Sequence, residues 1–329
     1  EACLVGSEMC IRDSSGSDVS NYSVTDQSST TANITAKALT VSGITASDKS
    51  YDGSTTATLG TSNILYTGLV SGDSFSGSYT GTFDNKNVGT GKTVTISSSY
   101  SGDDVSNYSV TDQSSTTATI IKKALTASAS ASNKTYNGNA TATTSLTFSG
   151  LVGSETLGQS VTSAFNNKNV GTGKTVTISA ITLSDGSNGG LASNYTISAG
   201  QTTTANITAK ALTVSGITAS NKTYDANTNA TMVVTSASYS GLLSGDNVVV
   251  SATGTFDNKN IGTGKTVTIS SSYSGSDVSN YSITNQSSTT ANVTARSLTV
   301  SSITASDKSY DGSATATLGT SNILYTGLV

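Results

Sequence analysis

The 329-residue chain has no His, no Pro and no Trp, only 2 Cys, and charged residues at 11%. Without His it lacks the commonest general base at neutral pH and the commonest nitrogen ligand for metals, so acid–base and metal-assisted catalysis lose their usual residue. With 16 basic and 20 acidic residues the net charge is -4 and the pI near 4.7. A nucleic-acid-binding surface calls for a basic face, and no such partner is expected. Hydrophobic residues make up 34%, and no run approaches the ~20 apolar residues of a membrane-spanning helix. Hydroxyl side chains take their place: 61 Ser and 58 Thr give a long β-rich chain a polar surface with little charge.

Residues 1–13 (EACLVGSEMCIRD) stand apart from the rest. Leu4 to Asp13 resemble the translation of a transposase-type sequencing adapter at all ten positions, and similarity to the later sequence begins at Ser15. Leu151 to Glu155 also read LVGSE, but Leu4 lies 17 residues before Asn21 whereas Leu151 lies 43 before Asn194. Residues 1–13 are therefore expected to be adapter-derived. This removes Cys3, Cys10 and Met9 from consideration, leaves no thiol for a disulfide or metal site, and leaves Glu155 as the sole glutamate. From residue 14 onward, 15 basic and 17 acidic residues give a net charge of -2.

Self-similarity organises everything else. Lys37-Ala-Leu recurs as Lys123-Ala-Leu, Lys210-Ala-Leu and Arg296-Ser-Leu, at spacings of 86, 87 and 86. Asn-Tyr recurs at 21–22, 107–108, 194–195 and 280–281. Tyr51-Asp52-Gly53 returns as Tyr136-Asn137-Gly138, Tyr224-Asp225-Ala226 and Tyr310-Asp311-Gly312. The run NKNVGTGK at 85–92 returns at 167–174 and, with Ile261, at 258–265. The expected divisions are 14–36, the C-terminal part of a truncated repeat; repeats at 37–122, 123–209 and 210–295; and 296–329, the N-terminal part of another. This last segment matches 37–70 at 30 of 34 positions, and both ends read as cut within a repeat, so the chain is expected to be a fragment.

The local signals are for strands. Leu39/Val41, Val94/Ile96 and Val176/Ile178 alternate with Thr, Ser or Lys, the period-2 pattern of a half-buried strand, and Gly, Asn, Asp and Ser clusters punctuate them. Short strands between turns in a repeat of about 86 residues predict an all-β fold of tandem β-sandwich, Ig-like domains in an elongated array. Length differences mark the loops: from Lys174 to Asn194 is 20 residues against 15 in the other repeats, and from Tyr136 to Asn167 is 31 against 34. The step from Asn-Tyr to the next Lys is always 16 residues, which predicts strand, junction and strand with almost no linker. Three such domains in line would span on the order of 90 Å.

Motifs that carry chemistry elsewhere read as turns here. Gly89-Thr-Gly91-Lys92-Thr93 ends like a phosphate-binding loop, but that loop needs a Gly where Lys86 stands and a following helix, whereas Thr93-Val-Thr-Ile96 is a strand pattern; a hairpin turn is expected. Asp52 and Asp84 recur as Asp225 and Asp257 but become Asn137 and Asn166 in repeat 2; an acid–base pair does not survive that, and an Asx turn does. Asp103-Asp104 is the nearest approach to a calcium loop, and its counterparts are Ser17-Asp18 and Ser276-Asp277. Lys37, Lys49, Lys86 and Lys92 recur beside Asn residues, the pairing that isopeptide crosslinks use, yet Lys37 becomes the unreactive Arg296. Sequons at Asn33, Asn107, Asn206 and Asn292 follow from the abundance of Ser and Thr. Tyr51 and Tyr108 read as packing or corner residues.

Taken in order, Lys-Ala-Leu-Thr, Tyr-Asp-Gly, Asn-Lys-Asn-Val-Gly-x-Gly-Lys and Asn-Tyr resemble the YDG-type repeats of large bacterial exoproteins, found in giant filamentous-haemagglutinin-like surface adhesins. The resemblance covers residues 15–329 and implies a secreted or outer-surface protein without enzymatic activity in the repeats. It carries over no ligand-binding residue, and Tyr136-Asn-Gly and Tyr224-Asp-Ala depart from the name motif, which favours a turn role. The expectation is a non-catalytic stalk of a secreted or surface-anchored adhesin, extracellular or on the bacterial outer surface. No catalytic, cofactor or metal residues are assigned, no cofactor is expected, and the partners are the neighbouring repeats. Two other readings stay open: repeats that bind host or matrix glycans or proteins through exposed Tyr and Asn, and repeats that self-associate as a biofilm matrix.

Overall fold

Alternation of apolar and hydroxyl residues produces strands in each repeat, and the computed structural model describes residue 17, 19–23, 25, 27 and 29–329. Residues 1–13, with Cys3, Met9 and Cys10, lie outside the described residues. The regular elements are β-strands and short 3-10 turns, with no α-helix among the described residues. Two compact units form: one of residues up to Lys49 together with Ser54–Ile121, the other of Ser50–Gly53 together with Lys122–Val329.

Repeat 1 holds a three-stranded sheet in the order Leu65–Thr67, Lys37–Ser42, Tyr108–Thr111. Its two markers meet there: Lys37–Ser42 runs parallel to Tyr108–Thr111, with Lys37 opposite Tyr108 and Leu39 opposite Val110. A five-stranded sheet follows the order Lys49–Ser50, Ser115–Ile121, Gly89–Ser101, Ser76–Phe83, Thr56–Ala57. Repeat 3 repeats both sheets, with Lys210 opposite Tyr281 and Leu212 opposite Ile283. Repeat 2 keeps the parallel pairing of Lys123 with Tyr195 but has a four-stranded main sheet and a longer hairpin, Leu157–Phe165 with Gly171–Asp185. Its additional residues form the turn after Asp185, closed by Gly186 N–H to Gly190 O at 2.9 Å, as the spacing indicates.

Period-2 residues reach the interior. Leu39, Val41, Val94, Ile96, Val176 and Ile178 are all buried, each such aliphatic side chain worth about 1.5–3 kcal/mol relative to exposure. The opposite faces are stitched by hydroxyl pairs directly across strands: Ser78 to Ser99, Ser130 to Ser145 and Ser251 to Ser272, each at 2.7 Å. Cross-strand pairs of this kind stabilise exposed sheet faces by about 0.2–1 kcal/mol each.

The Gly-Thr-Gly-Lys run differs from the expected hairpin turn. It lies inside the long strand Gly89–Ser101 as a bulge, with Gly91 at φ 58° and the pairing register slipping between Ala118 and Ile120. The slip recurs at Gly171/Lys174 and Gly262/Lys265. The bulge turns Lys92, Lys174 and Lys265 onto Asn85, Asn167 and Asn258 at 2.9, 2.7 and 2.7 Å, so the glycines serve a backbone kink that closes the loop 85–88 and its counterparts.

Candidate functional site at the repeat junction

The Tyr-Asp-Gly markers form loops held from below by a lysine two residues earlier. Lys49 Nζ donates to Ser54 O at 2.8 Å and Thr56 O at 3.0 Å. Lys134 does the same to Asn139 O and Thr141 O at 2.7 and 2.9 Å, and also to Asn137 Oδ1 at 2.9 Å. Lys222 pairs with Asp225 at 2.6 Å and donates to Asn227 O and Asn229 O at 3.0 and 3.1 Å. Three of these ammonium groups also sit over a strand Phe: Lys49 on Phe83, Lys134 on Phe165 and Lys222 on Phe256, at 5.6, 5.5 and 5.7 Å, a favourable cation–π arrangement. Asn227 N–H donates to Asp225 Oδ1 and Asn139 N–H to Asn137 Oδ1, the Asx turn in which Asp and Asn are interchangeable. The third motif position is left-handed, with φ 78°, 81° and 74° at Gly53, Gly138 and Gly312 and 64° at Ala226; hence Gly is usual there.

With its loop pinned, Tyr136 reaches from repeat 2 into the repeat that follows. Tyr136 is seated in repeat 3, where its ring meets Tyr281 edge-on at 5.6 Å and 77°. Lys168, from the Asn-Lys-Asn loop of repeat 2, lies 5.8 Å from the Tyr136 ring centroid and 3.4 Å from both Asp246 and Asp277. Beside it, Val170 N–H donates to Asn280 Oδ1 at 3.0 Å, and Asn280 Nδ2 donates to Asn169 Oδ1 at 3.3 Å. A single buried apolar cluster runs through this contact, from Phe165, Val176 and Ile207 of repeat 2 to Leu212, Val214 and Ile217 of repeat 3. Repeats 2 and 3 thus share a core.

The receiving socket is built around the Asn-Tyr marker. Tyr281 donates to Asp246 Oδ2 at 2.6 Å, and Leu243 N–H donates back to Tyr281 Oη at 3.0 Å. Repeat 2 holds the same socket: Tyr195 donates to Glu155 Oε2 at 2.6 Å and accepts from Val152 N–H at 3.0 Å. Within the second unit, this socket receives Tyr51 of the Ser50–Gly53 segment. Tyr51 donates to Glu155 Oε1 at 2.6 Å and stands edge-on to Tyr195 at 5.4 Å. Gly53 lies against Val152, so close that a Cβ on Gly53 would come within 2.7 Å of Val152 Cγ1. In repeat 1, Tyr108 donates to Asp73 Oδ2 at 2.5 Å and accepts from Val70 N–H at 3.0 Å. Asp73, Glu155 and Asp246 are therefore one recurring carboxylate.

The choice of acid matters. The longer Glu155 side chain bridges two tyrosines with its two oxygens, whereas Asp246 accepts from Tyr281 and shares the Tyr136 hydroxyl's surroundings with Lys168. Tyr51→Phe is accordingly expected to destabilise the second unit by about 1.5–3 kcal/mol, the worth of a hydrogen bond to a charged group, and Tyr136→Phe by less, since Asp246 keeps its short bond to Tyr281. Denaturant unfolding of the two variants side by side checks this contrast.

Burial, and then the adjoining carboxylate, pushes Tyr195 and Tyr281 up to about 12. A tyrosine raised above its unfolded value of ~10 contributes stability that is whole below pH ~10 and lost as pH climbs through the folded value. The second unit is therefore expected to lose stability between about pH 10 and 12, which a falling thermal midpoint across that window checks.

Other residues singled out in the sequence have local duties. Lys92 pairs with Asp84 at 2.7 Å and Lys265 with Asp257 at 2.8 Å, while Asn166 replaces the acid beside Lys174. These ion pairs hold the carboxyls of Asp84 and Asp257 below the usual range. Asp104 stands at the start of the turn 105–107, where its carboxylate accepts Ser74 N–H at 2.8 Å and Asn107 Nδ2 at 3.3 Å. No group of three or more His, Cys, Asp or Glu residues that could hold a metal occurs among the described residues. The socket carboxylate escaped the sequence reading, which weighed the recurrence of Asp52 and Asp84 but not that of Asp73. Its signal was present: Asp73 and Asp246 precede their tyrosine partners by 35 residues and Glu155 by 40, the difference being the 186–190 insertion.

The architecture defines all-β repeats in tandem along the sequence, and within the second unit repeats 2 and 3 interlock through a tyrosine loop and an acid–tyrosine socket. The YDG domain model matches residues 35–118, 121–205 and 208–291, so the chain belongs to the YDG domain family. Comparison with curated proteins finds no match. Among solved structures, surface layer protein SbsC, domains 4–9, is similar at 13% identity with a TM-score of 0.14, covering 76% of this chain and 44% of that one. The chain thus spans under half of that structure, and the likeness is too slight to carry an argument. No helix among the described residues is long and apolar enough to cross a membrane.

Proposed function

We propose that these YDG repeats are the non-catalytic stalk of a secreted or surface-anchored bacterial adhesin, each repeat clamped to the next. The observation that supports it most is the seating of Tyr136 of repeat 2 in the core of repeat 3. Coupling of this kind transmits load along a quasi-one-dimensional array. The low charge, the absence of thiols beyond residue 13 and the resemblance to exoprotein repeats fit an exterior location. Binding of glycans through the recurring tyrosines has less support, because Tyr51, Tyr108, Tyr136, Tyr195 and Tyr281 are all buried.

Protease treatment of intact cells that produce the protein tests this reading. Repeats digested from the outside, with cytoplasmic markers untouched, are the expected result; repeats protected until lysis would contradict it.

A further inference from the structure

Repeat 2 is the full repeat whose Tyr-Asp-Gly loop carries an amide: Asn137 stands where repeats 1 and 3 have Asp52 and Asp225, and Gly138 follows it. An Asn before Gly is chemically labile when its side-chain carbonyl lies over the next backbone nitrogen, because Gly has no Cβ to obstruct the five-membered ring that closes. This loop folds the side chain that way. Asn137 Oδ1 accepts Asn139 N–H at 3.4 Å, so the side chain turns back along its own chain past Gly138. Lys134 Nζ donates to the same oxygen at 2.9 Å, which puts a positive charge where negative charge develops when the carbonyl is attacked. Gly138 N–H makes no hydrogen bond among the described residues, and Asn137 is exposed to water. The sequence has one other Asn-Gly pair, Asn188–Gly189. There Asn188 Nδ2 donates to Ser154 O at 3.0 Å, which ties the amide across to another segment instead of over its own backbone.

We propose that Asn137–Gly138 is a self-processing site, at which repeat 2 converts its own amide into the aspartate that its neighbours carry. Gly138 N gives up its proton to hydroxide and attacks Asn137 Cγ; the Cγ–Nδ2 bond breaks, and Nδ2 takes up a proton and leaves as ammonia. Water then opens the succinimide. Lys134 polarises the oxygen that was Oδ1, so water adds at Cγ, the bond from Cγ to Gly138 N breaks, and an ordinary aspartate remains at 137. Addition at the main-chain carbonyl would instead leave an isoaspartate. The partner for the new carboxylate is in place, since the equivalent lysines pair with their acids: Lys222 with Asp225 at 2.6 Å and Lys308 with Asp311 at 2.8 Å. The site also lies on the contact between repeats 2 and 3, where a Cβ on Gly138 would come within 3.3 Å of Leu243 Cδ1. Processing therefore changes the charge of the loop that seats Tyr136. The inference stands whether or not the protein works as a stalk.

Peptide mapping by mass spectrometry tests it, on the whole folded chain held at mildly alkaline pH and sampled over time. The peptide with Asn137 is expected to gain the mass difference between an amide and an acid well before the peptide with Asn188 does, and to hold more aspartate than isoaspartate. In the chain unfolded in guanidinium the two sites are expected to react at similar rates, with isoaspartate in excess at both. Lys134→Gln is expected to slow the reaction at Asn137 about tenfold or more, as loss of a donor to developing negative charge does. Asn137→Asp carries the product from the start and is expected to melt no lower than the wild type. An Asn137 that outlasts Asn188 in the folded chain, isoaspartate as its main product, an unchanged rate in Lys134→Gln, or an Asn137→Asp chain less stable than the wild type would each overturn the inference.

Discussion

Tyr136→Ala is expected to cost about 3–5 kcal/mol, the range for deleting a buried aromatic ring, and to do so at a residue of repeat 2 whose ring packs against repeat 3. Tyr136 is buried against Tyr281 and lies in the apolar cluster that continues into Leu212, Val214 and Ile217. Removing the ring opens a cavity on the repeat 3 side and strips the cover from Asp246, which is then left with Tyr281 and the more distant Lys168. Tyr136→Phe leaves the ring in place, removes only the hydroxyl beside Asp246 and Lys168, and is expected to lie close to the wild type. In urea, the alanine variant should unfold repeat 3 at lower denaturant than the phenylalanine variant. Equal midpoints would mean that the ring contributes shape without coupling.

Glu155→Ala is expected to destabilise the second unit by about 2–5 kcal/mol, because two buried hydroxyls lose a charged acceptor at once. Tyr51 and Tyr195 both donate to Glu155 at 2.6 Å, and in an apolar setting neither recovers its bond from water. Glu155→Gln keeps the carbonyl oxygen but loses the charge and the second acceptor, and is expected to lie between alanine and wild type. The graded order, wild type above Gln above Ala in thermal midpoint, is the measurable signature; a Gln variant as stable as the wild type would show that the charge is irrelevant to the junction.

Much of this architecture was legible in the residues. Alternation at Val94/Ile96 and Val176/Ile178 placed the central strands, since a period of two puts every second side chain inside. The recurrence of Asp52 as Asn137 marked a turn, and Asn137 and Asp225 each accept the backbone N–H two residues on, as an Asx turn does. Reading Tyr51 and Tyr108 as packing residues was right in kind. What could not be read was the destination: Tyr51 sits on Glu155, 104 residues away, and periodicity speaks of faces, not of which neighbouring repeat covers them. The bulge at Gly91 was also hidden, because a Gly-Thr-Gly run is compatible with a turn or with a kinked strand until the register of the partner strand is known. The socket acid changes from Asp to Glu and shifts in spacing with the 186–190 insertion, so no fixed motif displays it.

The central claim is that the Tyr-Asp-Gly tyrosine couples one repeat to the next. Native-state hydrogen exchange of Tyr136→Ala, compared with the wild type residue by residue, tests it most directly. The structure predicts that amides of Lys210–Ser215 and Tyr281–Thr284, in repeat 3, lose protection although the substitution lies in repeat 2. Loss of protection confined to residues 123–209, with the repeat 3 strands unchanged, would contradict it.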